Sequence, residues 1–173
     1  FLKAETDRVI GFKGDIKVIY NFSDLPAPTR PRSEVRNELG VKDNEVMIIH
    51  ASNLRPVKRF DLLLKAVAGI KNRESFKLTV IAGSEFAPYQ KGVQELGLED
   101  KIIVRENVLQ IENYLQAADL ALYTSDSESF CLGILEAMLF NCPSVSTNVG
   151  GIPEVVQNNK TGLLVPQIGR AHV

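Results

Sequence analysis

The 173-residue sequence contains no tryptophan, two histidines and two cysteines, and each scarcity removes a class of function. Cys131 and Cys142 lack CxxC spacing and have no histidine beside them, so neither a zinc site nor a disulfide framework is suggested, and no metal is expected. A cytoplasmic setting fits that cysteine usage best. His50 falls inside an apolar strand candidate, where a hydrogen-bonded core histidine is expected, and His172 stands near the end of the chain. No G-x-S-x-G elbow and no cluster of His, Asp and Cys points to a hydrolase. No apolar run reaches the roughly eighteen residues of a membrane span. No charge surplus exists either: 20 Lys and Arg face 21 Asp and Glu, which argues against nucleic acid or an anionic membrane as partner. Any anionic ligand must therefore be held locally. Neither G-x-G-x-x-G nor G-x-x-x-x-G-K-[ST] occurs, so dinucleotide-binding and P-loop readings lose support.

What is present is an alternation of apolar runs with segments of helical period. "VMIIHAS" (46–52), "FKLTVIAG" (76–83), "KIIV" (101–104), "DLALYT" (119–124) and "PSVST" (143–147) are predicted strands. Between them, "FDLLLKAVAGI", "PYQKGVQELG", "IENYLQAA" and the stretch around "ILEAMLF" are predicted helices. Strands that are apolar on successive residues and joined by helices indicate a parallel sheet buried on both faces. The fold class expected is α/β, a Rossmann-like parallel sheet with helices on both faces. Such sheets bind ligands beyond the carboxyl ends of their strands, so the loops after residues 51, 83, 124 and 147 are where to look.

Residues 1–23 are expected to stand apart as a helix and hinge that close a preceding domain, with the sheet domain over 24–167. The proline-spaced "LPAPTRPRSE" reads as a stiff connector into a helix from Arg32 to Leu39. The opening "FLKAETDRVI" reads as mid-protein helix, which suggests a fragment. "IGRAHV" resembles translated sequencing-adapter sequence, so 168–173 are expected to be an artefactual tail.

Four loops carry candidate chemistry. "NLRPVKRF" places Arg55, Lys58 and Arg59 at a strand's carboxyl end, either as a phosphate clamp or as a solvated basic turn. "TSDSESFCLG" offers Ser125, Asp126, Ser127 and Ser129 before a helix, either as caps or as the rim of a diphosphate site at the helix start. Glu128 and Glu136 follow, eight positions apart. Eight helical residues rise about 12 Å, whereas paired glycosidase carboxylates sit about 5 to 10 Å apart. The two acids are therefore spaced to hold two ends of a ligand such as a sugar nucleotide, or else are an N-terminal acid favoured by the helix dipole and an unrelated surface glutamate. "TNVGGIPEVV" supplies Gly150 and Gly151, for close backbone approach to a ligand or simply for a turn, with Pro153 at a first helical position.

In this order, "SNLRPVKR", "ESFCLGILEAM" and "TNVGGIPEVV" resemble the carboxyl-terminal domain of retaining glycosyltransferases of the GT-B fold, family four, and the glutamate spacing matches that family's E-x7-E motif. The resemblance covers about residues 1 to 166, including a helix and strand that in the family cross the hinge. "SNLRPVKR", "IYNFSD" and "GGIPEVV" look most like the subfamily that transfers N-acetylglucosamine from UDP to L-malate in bacillithiol biosynthesis. Relatives acting on polysaccharide or glycolipid acceptors share most of these residues, and a non-catalytic nucleotide-binding module is the remaining alternative.

The resemblance implies roles. Lys58 would contact the donor diphosphate and Glu128 the sugar, with Glu136 on the ribose hydroxyls. Backbone around Ser129, Phe130, Cys131 and Leu132 would lie along sugar and phosphates, and backbone near Gly83 and Leu109 would face the uracil. Ser52 and Asn53 stand where many members have glycine and arginine, leaving Arg55 as the phosphate-binding arginine. Cys131 stands where glycine is common. The resemblance further implies retention of configuration and no cofactor or metal, the UDP-sugar being substrate. It also implies a small-molecule acceptor held mostly by an amino-terminal domain, so that residues 1–173 alone would bind nucleotide without turnover. A homo-oligomer is allowed by this reading.

Overall fold

The computed structural model describes residues 1–167 apart from Lys13, so the expected artefactual tail lies outside the described residues. Six parallel strands form one sheet in the order β3-β2-β1-β4-β5-β6. They are β1 (Val46–Ser52), β2 (Phe76–Ala82), β3 (Ile102–Glu106), β4 (Leu120–Tyr123), β5 (Ser144–Thr147) and β6 (Gly162–Val165). β1 pairs with β2 along its whole length, from Val46 opposite Phe76 to Ser52 opposite Ala82, and on its other side with β4, Ile48 opposite Leu120. The first five strands are those predicted from apolar runs. β6 is not: "GLLV" is short, begins with glycine and alternates between half-buried and exposed at the sheet's edge, so it lacks the continuous apolar signal of a central strand.

The helices divide between the two faces. On one, α3 (Phe60–Ala68) and α4 (Gln90–Glu95) bury Phe60, Leu63, Leu64, Val67 and Val93 against Ile48, Leu78 and Val80 of the sheet. On the other, α2 (Arg32–Glu38), α5 (Ile111–Ala117), α6 (Leu132–Leu139) and α7 (Ile152–Val155) cover Met47, Ile49 and Ala121 with Val35, Leu115, Ile134 and Ile152. Complete burial of side chains such as Leu63, Leu78 and Leu115 stabilises the fold by about 1.5 to 3 kcal/mol each. The Rossmann-like α/β architecture expected from the sequence is the architecture observed.

Residues 1–31 behave differently. α1 (Leu2–Ile10) buries none of its residues. Residues 16–23 form no strand, contrary to expectation, because no sheet edge pairs with them; Ile19 and Phe22 are 89% and 84% exposed. Their contact is with the site instead. The Tyr20 ring lies 6.4 Å from that of Phe130, and the Ser23 hydroxyl donates to Glu136 Oε1 at 3.5 Å. Among the described residues no helix is long and apolar enough to cross a membrane.

Candidate functional site

The chain leaves β1 toward β2 on one side and enters β5 from β4 on the other, so the loops after β1 and β4 diverge and leave a crevice at the carboxyl edge of the sheet. A cavity of about 460 Å³ opens there, of a size that suits a small-molecule ligand. Ser52, Asn53 and Lys58 line it from the β1 loop, Gly83 from the β2 loop, Asn107 and Val108 from the β3 loop, and the run from Glu128 to Gly133 with Glu136 from the β4 loop and α6.

Lys58 ends a short 3₁₀ turn, Pro56–Lys58, set between two left-handed residues, Leu54 (φ 49°) and Arg59 (φ 48°). The turn is clamped from β4: the Thr124 hydroxyl donates to the carbonyls of Lys58 and Arg59 at 3.1 and 2.9 Å, and the Asp126 N–H donates to the Val57 carbonyl at 2.8 Å. So held, Lys58 Nζ donates to Glu128 Oε1 at 2.6 Å, and the Ser125 hydroxyl donates to the same oxygen at 2.7 Å. The two charged side chains are only 20% and 9% exposed. A desolvated ammonium on the lip of a cavity is a strong partner for an incoming anion, since a low-dielectric wall strengthens its field.

Of the two readings of this basic loop, a clamp made by all three cations is not what forms. Arg59 is committed to Asp126 and Asp61, whose carboxylates accept from its guanidinium at 3.0 to 3.2 Å. Arg55 is exposed and does not line the cavity. With the Asn53 amide oxygen facing it, its Nε and Nη2 donate to that oxygen at 2.9 and 3.2 Å, so Arg55 reaches the site only through Asn53. Lys58 is the cation of this trio on the cavity wall.

α6 begins at Leu132, and no serine side chain caps it. Its N-cap is Cys131, itself left-handed at φ 70° and ψ 73°, a conformation that glycine adopts without cost and cysteine does not. The capping account of "TSDSES" therefore fails, because the Ser125 hydroxyl is taken by Glu128. The Ile134 N–H donates to the Cys131 carbonyl at 3.1 Å, whereas the N–H groups of Leu132 and Gly133, which precede the first helical bond, stand at the cavity wall with Phe130 and Cys131. Burial, with the Glu128 carboxylate adding to it, pushes the Cys131 thiol up to about 12. Farther along α6, Glu136 lines the same cavity, and its half-buried setting raises its carboxyl above the usual range, against the Ser23 hydrogen bond.

The two glycines of "NVGGIP" serve the acidic loop. The Gly151 N–H donates to the Glu128 carbonyl at 2.8 Å. A Cβ on Gly150, at φ 55°, would lie 1.9 Å from that carbonyl oxygen, and one on Gly151 would lie 2.0 Å from the Ser129 carbonyl oxygen. Close backbone approach is real, but it is approach to residues 128 and 129. Gly133 makes a comparable fit: a Cβ there would lie 2.6 Å from the Tyr123 Oη. That hydroxyl is buried and has no hydrogen-bond partner among the described residues.

Of the residues singled out from the sequence, Lys58, Asn53, Gly83, Glu128, Ser129, Phe130, Cys131, Leu132 and Glu136 share one cavity, whereas Arg55 and Leu109 do not line it. Leu109 is 97% exposed, in a shallow depression with Arg30 and Gln110, and its neighbour Val108 faces the cavity. Tyr123, Gly133, Asn107 and Asn21 are lining residues that sequence reasoning missed. Asn107, directly after β3, offered a signal: an asparagine, a residue that tolerates the left-handed region, at the end of a strand, here at φ 52°.

Residues 31–171 match the family model described as Glycosyl transferases group 1. The chain is 36% identical over 162 residues to N-acetyl-alpha-D-glucosaminyl L-malate synthase of Bacillus anthracis, covering 92% of this chain and 42% of that protein. It is 31% identical over 177 residues to D-inositol 3-phosphate glycosyltransferase of Mycobacteroides abscessus, covering 95% and 39%. Among solved structures, HepE of Anabaena in complex with UDP and glucose superposes with a TM-score of 0.77 at 31% identity, over 87% of this chain and 43% of that one. The chain thus spans less than half the length of the proteins it matches. With most of its length under that family model and a relative 36% identical over 92% of it, the chain belongs to the group 1 family of glycosyl transferases.

Proposed function

We propose that the crevice is the donor site of a retaining glycosyltransferase, and that the whole protein transfers N-acetylglucosamine from UDP-N-acetylglucosamine to L-malate in the cytoplasm. The observation that carries this reading is the Lys58–Glu128 pair beside the start of α6, with Glu136 in the same cavity. The diphosphate sits against Lys58 and the free N–H groups of α6, Glu128 accepts hydroxyls of the sugar, and Glu136 accepts hydroxyls of the ribose. The uracil end falls among Gly83, Asn107 and Val108. Cleavage of the glycosidic bond places growing negative charge on the β-phosphate, and donors already fixed in a desolvated wall stabilise it without reorganising. Lys58 and the helix start supply that stabilisation, which makes this a metal-independent reading.

The likeness to the malate enzyme of Bacillus anthracis supports the donor and acceptor named. The acceptor binds mostly to a second domain beyond this chain, so residues 1–173 bind nucleotide without turning over. Calorimetric titration with UDP-N-acetylglucosamine, UDP, GDP-mannose and NADH, in one buffer, tests the donor site. Selective binding of the uridine nucleotides is expected, and a preference for NADH or GDP-mannose would overturn it. Assaying the full-length enzyme with L-malate and with D-inositol 3-phosphate as acceptors then tests the acceptor, with transfer to malate expected.

A further inference from the structure

The β1 loop presents Asn53 and Lys58 to the cavity, and its carbonyls are secured from the segment after β2. The Gly83 N–H donates to the Ser52 carbonyl at 2.9 Å, the Ser84 hydroxyl to the Asn53 carbonyl at 2.6 Å, and the Tyr89 hydroxyl to the Leu54 carbonyl at 2.7 Å. Besides these bonds and the Thr124 and Asp126 clamp on residues 57–59, a further restraint comes from beneath. The Leu54 N–H donates to Ser52 Oγ at 3.1 Å, and Ser52 Oγ lies 2.8 Å from Nε2 of His50, whose Nδ1 lies 2.8 Å from the Leu122 carbonyl of β4.

The direction of every proton in this chain is fixed. A carbonyl can only accept, so Nδ1 of the neutral imidazole carries the hydrogen and Nε2 is the acceptor. The Ser52 hydroxyl therefore donates to Nε2, which leaves its oxygen lone pairs toward the Leu54 N–H. His50 is fully buried, flanked by the rings of Phe60 and Tyr123, each 5.4 Å away, so the imidazole has no room to turn. Leu54 is the residue that most needs holding, since its left-handed backbone is unfavourable for a leucine.

We propose that His50 is a positioning residue of the cavity: through Ser52 it holds the left-handed turn at Leu54, and so sets the placement of Asn53 and Lys58 toward the ligand. Its chemistry is that of a neutral acceptor locked in one tautomer. The proposal rests on the donor-site reading, because UDP is its probe.

The test compares His50→Gln, His50→Asn and Ser52→Ala. Glutamine reaches far enough to accept from Ser52 at the place of Nε2, whereas asparagine ends near the place of Nδ1 and cannot. His50→Asn and Ser52→Ala are expected to weaken UDP binding about fivefold, the worth of one hydrogen bond, while His50→Gln stays near the parent. Combining His50→Asn with Ser52→Ala should weaken binding no further than either alone, since both break one relay. Hydrogen exchange at the Leu54 amide is read in parallel and should quicken in the Asn and Ala variants only. Equal UDP affinity in the Gln and Asn variants, or parental affinity in Ser52→Ala, would overturn the proposal. Should the parent itself bind no UDP, the donor-site reading falls, and unchanged exchange at Leu54 in Ser52→Ala would overturn the relay separately. Ser52→Ala removes one atom, so it keeps the test open if the histidine variants fail to fold.

Discussion

The Gly151 N–H donates to the Glu128 carbonyl at 2.8 Å, which joins the start of α7 to the loop that carries the acid of the Lys58 pair. With less than 3 Å between the carbonyls of residues 128 and 129 and a Cβ on either glycine, Gly150→Ala or Gly151→Ala must push that loop aside. Each is expected to cost about 2 to 4 kcal/mol by overpacking and strain, with most UDP binding lost. A thermal melt and a UDP titration of each variant check this; parental values in both would contradict the role given to the glycines.

Lys58→Ala removes a partner from a carboxylate that is 9% exposed. Breaking a buried pair from one side leaves an uncompensated charge, and because water reaches this pair from the cavity the expected loss is about 2 kcal/mol, below the range for fully enclosed pairs. Adding Glu128→Gln should restore much of that stability while UDP affinity stays low. In the full-length enzyme, turnover should fall about a hundredfold with Lys58→Ala, as for loss of one preorganised donor. Urea unfolding of the two variants and steady-state kinetics provide the readouts.

Cys131 combines an unfavourable backbone with a shielded thiol. Cys131→Gly is expected to fall within about 1 kcal/mol of the parent, because relief of the left-handed strain offsets lost burial, whereas Cys131→Val should lose about 1 to 2 kcal/mol, a β-branched residue being poorly suited to φ 70°. With its pKa pushed up to about 12, the thiol should also resist iodoacetamide in the folded protein near neutral pH, as should Cys142, which burial pushes up to about 11. Mass spectrometry with and without denaturant checks this, and ready alkylation of either cysteine in the folded protein would contradict it.

Burial lowers the His50 pKa from 6.5 to about 4, with the Leu122 carbonyl opposing, Lys58 adding to the fall and Glu128 resisting it. Between those values the unfolded chain takes up a proton that the folded chain refuses. The stability contributed by neutral His50 is therefore complete above about pH 6.5 and is lost as pH falls toward 4, a swing of about 3 kcal/mol. His50→Asn removes this component, so its unfolding free energy should be less dependent on pH across that window than the parent's. Parallel slopes would show that folding does not lower the His50 pKa.

Much of the architecture was legible because a parallel sheet covered on both faces demands apolar runs, and "VMIIHAS" and "FKLTVIAG" supply them in full register. β6 escaped because an edge strand needs only one apolar side. Within the site, Glu128 and Glu136 were legible through spacing, and Lys58 through its place after β1. The pairing of Lys58 with Glu128 was not, since it joins residues seventy positions apart and depends on the β1–β4 adjacency. Arg55 and Lys58 look alike in sequence; what separates them is tertiary, since Thr124 and Asp126 clamp the turn that ends at Lys58 on the cavity wall while Arg55 is left exposed beside Asn53. The serines before α6 suited a cap, but Cys131 occupies that position and Ser125 faces the acid.

The fit of Tyr123 against Gly133 bears on how this wall can change over generations. The tyrosine hydroxyl fills the space that any larger residue at 133 would claim, so enlarging 133 alone collides with β4, and shrinking 123 alone opens a hollow beside the ligand wall. Only a paired exchange, a smaller residue at 123 with a larger one at 133, keeps the volume. These two positions should drift together or not at all, which makes the floor of the crevice a single heritable unit although its parts stand ten positions apart in the chain.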